Sequence, residues 1–186
     1  MSLLSAALGS PTRRIAAIAT TVILMDQGTK RLVLALLPGE DQRVVIDGFF
    51  KFVHWGNTGA AYSLFRGNNQ VLAVVALLAL IVLFFTRHHF DSRSPLGQLA
   101  FGLIFGGIIG NLLDRVLIGH VIDFLYFYVQ QRGGREVGFP AFNVADSAIC
   151  TGVGLIFLNT WRNEHRSTPG PEVTTAGPET RANAKG

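Results

Sequence analysis

Apolar residues along this chain come in blocks, not in the short alternations of a soluble domain. Four blocks stand out, at about 14–37, 71–86, 96–113 and 142–161. Each is close to the ~20 residues that a helix needs to cross a ~30 Å hydrocarbon layer. The second is unbroken, with no charge from Val71 to Phe85. The other three contain Asp, Asn or Lys, each costing a few kcal/mol near mid-bilayer, so a span that only anchored would have no reason to carry them. Between the first two blocks, Val44-Val45-Ile46 and Phe49–Trp55 are rich in β-branched and aromatic residues, with Asp47-Gly48 between them. That pattern predicts a hairpin, within a small β-element at about 43–63 resting on the membrane surface. Before the fourth block lies another apolar stretch, 116–129, interrupted by His120 and Asp123. Its Tyr126-Phe127-Tyr128 suits a membrane interface. Beyond Arg166 the residues are Pro, Gly, Thr and charge, which predicts a disordered tail at 167–186. The expectation is one membrane unit over 1–166, with no room for a second domain.

Composition sharpens this picture. Hydrophobic residues make up 49% of the 186 and charged residues only 15%, against ~25% charged in soluble domains. The net charge of +4 does not point to nucleic acid, because the basic residues flank apolar blocks and face lipid headgroups there. Arg13 and Arg14 before an apolar run resemble a secretory leader, but no small-residue cleavage site follows and the run leads into Asp26. An uncleaved first span is expected. Four spans place both termini on one side, and the density of Arg in the short loop at 87–95 and near the termini makes that side cytoplasmic.

With alternating spans, Asp26, Asp114, Arg115, Asp123 and Asp146 fall toward the same membrane face. Two carboxylates sharing a proton can perform aspartic proteolysis: the ionised one takes a proton from water while the neutral one donates to the scissile carbonyl. Spacing does not fix which two of the four form the pair. Asp26 has Lys30 one turn away and Asp114 has Arg115 beside it, whereas Asp123 and Asp146 have no local cation, so the pair is best sought there. Asn57, Asn111 and Asn143 accompany them. Asn143, three residues before Asp146, could hold a carboxylate or equally cap the fourth helix. Gly102, Gly106 and Gly110 at four-residue spacing read as helix packing. The lone Cys150 lacks a base partner, no HExxH motif supports zinc, and no GxSxG supports a serine hydrolase. No metal or cofactor is called for. A proton-coupled transporter would also place carboxylates in spans, and a scaffold would explain the glycines but not four acids at one depth.

Five segments in order resemble the lipoprotein signal peptidases (signal peptidase type II). They are Asp26-Gln27-x-x-Lys30, Asn57-Thr58-Gly59-Ala60-Ala61-Tyr62-Ser63, Gly106-Gly107-x-x-Gly110-Asn111-Leu112-x-Asp114-Arg115, Gly119-His120-Val121-Ile122-Asp123-Phe124 and Phe139 to Ser147. The resemblance runs from about 15 to 162 and implies an all-α membrane protein of four transmembrane helices, with a small periplasmic β-element and a periplasmic surface helix around Asp123. It implies an endopeptidase of the bacterial inner membrane, with its site near the outer face. The implied dyad is Asp123 and Asp146. Asn57, Gly59, Asn111, Asp114, Arg115 and Asn143 would line or support the site, together with Asp26 and Lys30. The implied substrate is a prolipoprotein whose cysteine carries diacylglycerol, cleaved just before that cysteine. A monomer in membrane lipid is expected, with no nucleic acid.

Overall fold

The structure, a computed structural model, describes residues 9–39, 41–59, 67–90 and 92–166, the last four of these by backbone alone. The expected tail at 167–186 and the last residues of the predicted β-element, 60–63, lie outside the described residues. Four long helices are present: α1 (Pro11–Leu36), α2 (Asn69–Thr86), α3 (Pro95–Leu117) and α4 (Val144–Arg166). They fall on the four apolar blocks, with α1, α3 and α4 running a few residues past the predicted ends. Two of the starts are written locally. Ser10 and Ser94 accept from the N–H of Arg13 and Gly97, and Pro11 and Pro95 open their helices, where a missing N–H costs nothing. By length and composition α2 (extended through the 3-10 turn at 87–90), α3 and α4 suffice to cross a membrane. The first helix does not meet that measure, because Asp26, Lys30 and Arg31 interrupt it.

Helix α3 is the axis of the bundle, flanked by α1 and α4. Its glycines do what the spacing predicted: a Cβ at Gly106 would sit 2.6 Å from the Val22 Cβ and 2.8 Å from the Ala19 carbonyl oxygen. The α1 backbone can therefore approach only where α3 has no side chain. Helix α2 is peripheral. Leu72 is its one buried residue, and Val74, Val75, Leu78, Val82 and Phe85 are all more than half exposed. A helix apolar on every side and covered on almost none has lipid as its natural surroundings.

The predicted hairpin is present as β1 (Gln42–Ile46) and β2 (Phe50–Asn57), antiparallel, with Gly48 at φ +70° in the turn. It belongs to a larger sheet. Two further strands, β3 (Val121–Gln130) and β4 (Glu136–Gly138), extend it in the order β1-β2-β3-β4. The surface helix expected around Asp123 is therefore corrected to a strand. Its residues, Val-Ile-Asp-Phe-Leu-Tyr-Phe-Tyr-Val, are strand formers by shape, and β2 offers them a partner edge, pairing Trp55 with Asp123 and Asn57 with Val121. The apolar stretch was in fact two elements: Val116 and Leu117 complete α3, and Gly119 at φ +81° turns the chain into β3.

Candidate active site

Four carboxylates converge where α1, α3, β3 and the start of α4 meet, and they divide into two kinds. Asp26 and Asp114 share one cation. The Lys30 ammonium lies 2.8 Å from Asp26 Oδ2 and 2.7 Å from Asp114 Oδ2, and also donates to Asn111 Oδ1 at 3.0 Å. Lys30 is 1% exposed and Asp26 0%, so this is a dry ion triad, tolerable only because each partner is saturated. Gln27 adds a 2.8 Å bond to Asp114 Oδ1. The other oxygens tie elements together: Asp26 Oδ1 accepts from the Ala145 N–H in the first turn of α4, and Asp114 Oδ2 accepts from the Ile122 N–H in β3. Arg115 is thus not the cation of Asp114, contrary to its adjacency in sequence. Successive residues on a helix point about 100° apart, and the Arg115 guanidinium turns instead to Asn69 Oδ1 at 3.1 Å and the Gly59 carbonyl at 2.9 Å.

Asp123 and Asp146 have no ion-pair partner among the described residues; they are held by neutral amides. Asn57 Nδ2 donates to Asp123 Oδ2 at 2.8 Å, and Asn143 Nδ2 to Asp123 Oδ1 at 2.9 Å. Asn111 Nδ2 donates to Asp146 Oδ1 at 2.7 Å. Asn143 also answers the choice left open by its position, because it does both jobs. Its Oδ1 accepts from the Asp146 N–H while its own N–H donates to Asp146 Oδ2, a reciprocal cap on α4. One residue therefore contacts both carboxylates. The sheet brings it there: Phe142 exchanges backbone bonds with Leu125, which places β3 alongside the residues entering α4.

Asp123 is buried, and that burial, followed by the nearby charge of Asp146, pushes its carboxyl from the usual carboxylate range up to about 7. The hydrogen bonds from Asn57 and Asn143 and the charge of Lys30 act in the opposite direction. Asp146 is partly exposed. Asp123 can therefore hold a proton near neutral pH, and both carboxylates accept from N–H donors, so acid–base chemistry is within their reach. Gly59 contributes through its backbone, donating to Asn57 Oδ1 and accepting from Arg115. Two participants had no role from sequence. Gln27 was legible only as part of a motif, and Asn69, at the start of an otherwise apolar helix, gave no signal beyond its polarity.

The chain is similar to known proteins in sequence and in fold. The family model described as signal peptidase (SPase) II matches residues 18–162. The lipoprotein signal peptidase of Symbiobacterium thermophilum is 38% identical over 151 residues, covering 81% of this chain and 96% of that one. The lipoprotein signal peptidase of Geobacter sulfurreducens is 39% identical over 163 residues, covering 86% and 99%. Two structures of a bacterial membrane enzyme solved by the in meso method, at 2.3 and 1.9 Å, superpose with TM-scores of 0.71 and 0.66 at 29% and 31% identity. They cover 84% and 80% of this chain, and 92% and 93% of their own. On the extent of that match, in sequence and in fold, the chain belongs to the signal peptidase II family, a family of membrane proteases.

Proposed function

We propose that the chain is an aspartic endopeptidase that removes the signal peptide from diacylglyceryl-modified prolipoproteins, cutting just before the lipidated cysteine. One observation carries the reading. Of four converging carboxylates, two share Lys30 as an ion-pair partner, and the two left without a cation are gripped by the same asparagine. Asp123 and Asp146 are then the catalytic pair. The ionised member takes a proton from a water molecule, whose oxygen attacks the scissile carbonyl carbon. The neutral member donates its proton to the carbonyl oxygen. Collapse of the tetrahedral intermediate breaks the C–N bond. The proton gained from water passes to the departing cysteine nitrogen, and one hydroxyl proton of the intermediate returns to the member that had donated it, restoring the singly protonated pair. Asn57, Asn111 and Asn143 fix the carboxylates, Arg115 and Gly59 face the substrate's polar backbone, and the Asp26–Lys30–Asp114 triad locks α1, α3, β3 and α4 around them.

The same reading makes α1 a fourth span. Its charged residues Asp26 and Lys30 face inward and are paired, whereas Leu24 is 68% and Leu36 63% exposed. That inverted distribution is what a lipid-facing helix requires. Both termini are then cytoplasmic, with the dyad and the sheet at the outer face of the inner membrane. The test is incubation of the purified protein with a diacylated prolipoprotein, read by mass spectrometry. The expected products are the signal peptide and a lipoprotein beginning at the lipidated cysteine. Asp123→Asn and Asp146→Asn should each abolish the mass change while the protein remains folded in detergent. Turnover within a few-fold of wild type in either variant removes that carboxylate from the mechanism.

A further inference from the structure

Arg115 presents a puzzle that the reaction does not use up. It follows Asp114 in sequence and feels the charges of Asp123, Asp146 and Asp114, yet it forms no ion pair with any of them among the described residues. A half-buried guanidinium within the field of three carboxylates is drawn toward them. Two neutral acceptors hold it back. Nη1 donates to Asn69 Oδ1 and Nη2 to the Gly59 carbonyl, so the plane is held at two points. The Asn69 side chain is itself fixed, because its Nδ2 donates to the Arg115 carbonyl at 2.9 Å. That carbonyl lies in the last turn of α3 (Pro95–Leu117), where helical carbonyls lack an intrahelical partner. The neighbouring Asn68, at the N-cap of α2, makes no side-chain cap bond. The Asn69 side chain at the head of α2 is thus committed to Arg115 through both its amide atoms.

We infer that Asn69 is a positioning residue: it holds the Arg115 guanidinium beside the two unpaired carboxylates and keeps it from pairing with them. The kinetic consequence rests on the peptidase reading; the geometric hold does not. If the guanidinium closed onto Asp123 or Asp146, that carboxylate would become a cation-paired group, as Asp26 and Asp114 already are with Lys30. It would then hold its proton less well. The charged groups that act on the guanidinium are Asp123 on β3, Asp146 on α4 and Asp114 on α3, and those that act on the two unpaired carboxylates include Lys30 and Asp26 on α1. Lys30 is saturated by its own partners, so the dyad is where a released guanidinium would go.

Asn69→Ala, Arg115→Ala and the double variant are compared with wild type on a diacylated prolipoprotein across pH. Burial of the acyl chains governs KM, so misplacement of a polar group falls on kcat. In Asn69→Ala kcat should drop about tenfold near neutral pH, with KM within about twofold, and the alkaline limb should move to lower pH. Asn69→Asp keeps an acceptor for Nη1 but loses the donor to the Arg115 carbonyl, and should recover part of the rate. In the Arg115→Ala background the Asn69→Ala change should alter kcat less than about twofold, since there is nothing left to position. An equal loss in both backgrounds, or a wild-type kcat and limb in Asn69→Ala, overturns the inference. A second measurement needs no activity. With guanidinium ¹⁵N labelling, the Arg115 signals, identified by their loss in Arg115→Lys, should show separate Nη environments in wild type and averaged ones in Asn69→Ala. Unchanged signals refute the hold whether or not the chain cleaves anything. Absence of cleavage by wild type refutes the peptidase reading and leaves the labelling experiment to decide Asn69.

Discussion

At the scale of single residues, neutrality of the hydrogen-bond partners is what separates Asp123 and Asp146 from Asp26 and Asp114. Asp26 and Asp114 sit against an ammonium; Asp123 sits against two amides and a second carboxylate. Its pKa of about 7 is a compromise between burial, which favours the neutral acid, and N–H donors, which favour the carboxylate. The proposed mechanism needs one proton on the pair, so kcat/KM should fall as pH rises through about 7, where Asp123 loses that proton. Asn57 donates to the ionised form and therefore lowers this pKa. Removing it should raise the pKa and carry the alkaline limb upward. A hydrogen bond to a charged group is worth ~1.4 kcal/mol or somewhat more, which corresponds to about one pH unit. Asn57→Ala is therefore expected to lower the maximum rate and move the limb about one unit toward higher pH, measured on a diacylated prolipoprotein. A limb that stays in place or moves down contradicts the assigned role.

Elements rather than residues explain which parts of this protein were legible in its sequence. Spans 71–86 and 96–113 could be read because apolar length alone defines a membrane helix, and the hairpin because Asp47-Gly48 is a local turn signal. Strand β3 could not. Val-Ile-Asp-Phe-Leu-Tyr-Phe-Tyr-Val is apolar on both faces near its start, with Val121, Ile122, Asp123 and Phe124 all buried. Periodicity was therefore silent, and its state is decided by β2 and Phe142, which lie far away in the chain. Arg115 misled for the related reason that adjacency in sequence is not adjacency around a helix. Glycine spacing in α3 was readable as packing, but not that one position serves the site. A Cβ at Gly110 would lie 2.7 Å from Asp26 Oδ2, and that carboxylate cannot step aside while Lys30 and the Ala145 N–H hold it. Gly110→Ala should therefore cost ~2–4 kcal/mol of stability, the range for overpacking combined with a broken buried ion pair, and most of the activity. Gly154→Ala on α4, with nothing within 4 Å, is the control and should be neutral or slightly stabilising. Thermal unfolding in detergent separates the two; equal midpoints would mean that Asp26 is not fixed as described.

At the scale of the whole molecule, the arrangement raises the question of how a peptide bond reaches carboxylates that lie among apolar helices. A bare peptide entering this region would strip water from its backbone at a few kcal/mol per unpaired amide. The outward faces of the bundle offer compensation. Leu24 and Leu36 on α1, and Val74, Leu78 and Val82 on α2, are among many exposed apolar side chains along which acyl chains can lie. Each buried CH₂ of a diacylglycerol contributes ~0.8 kcal/mol, and the anchored ester fixes the depth of the neighbouring bond. In the proposed site Asn57, Asn111 and Asn143 are committed to the carboxylates, which leaves Arg115 and the Gly59 backbone for the polar chain. Lipid in this scheme supplies position as well as affinity, and position survives saturation whereas affinity does not. The same prolipoprotein with and without its diacylglycerol, each saturating in one detergent, distinguishes the two contributions. Turnover of the unlipidated form is expected to be lower by at least about tenfold. If both forms turn over alike once saturated, the acyl chains only recruit the substrate, and the bond must be aligned by the polar residues alone.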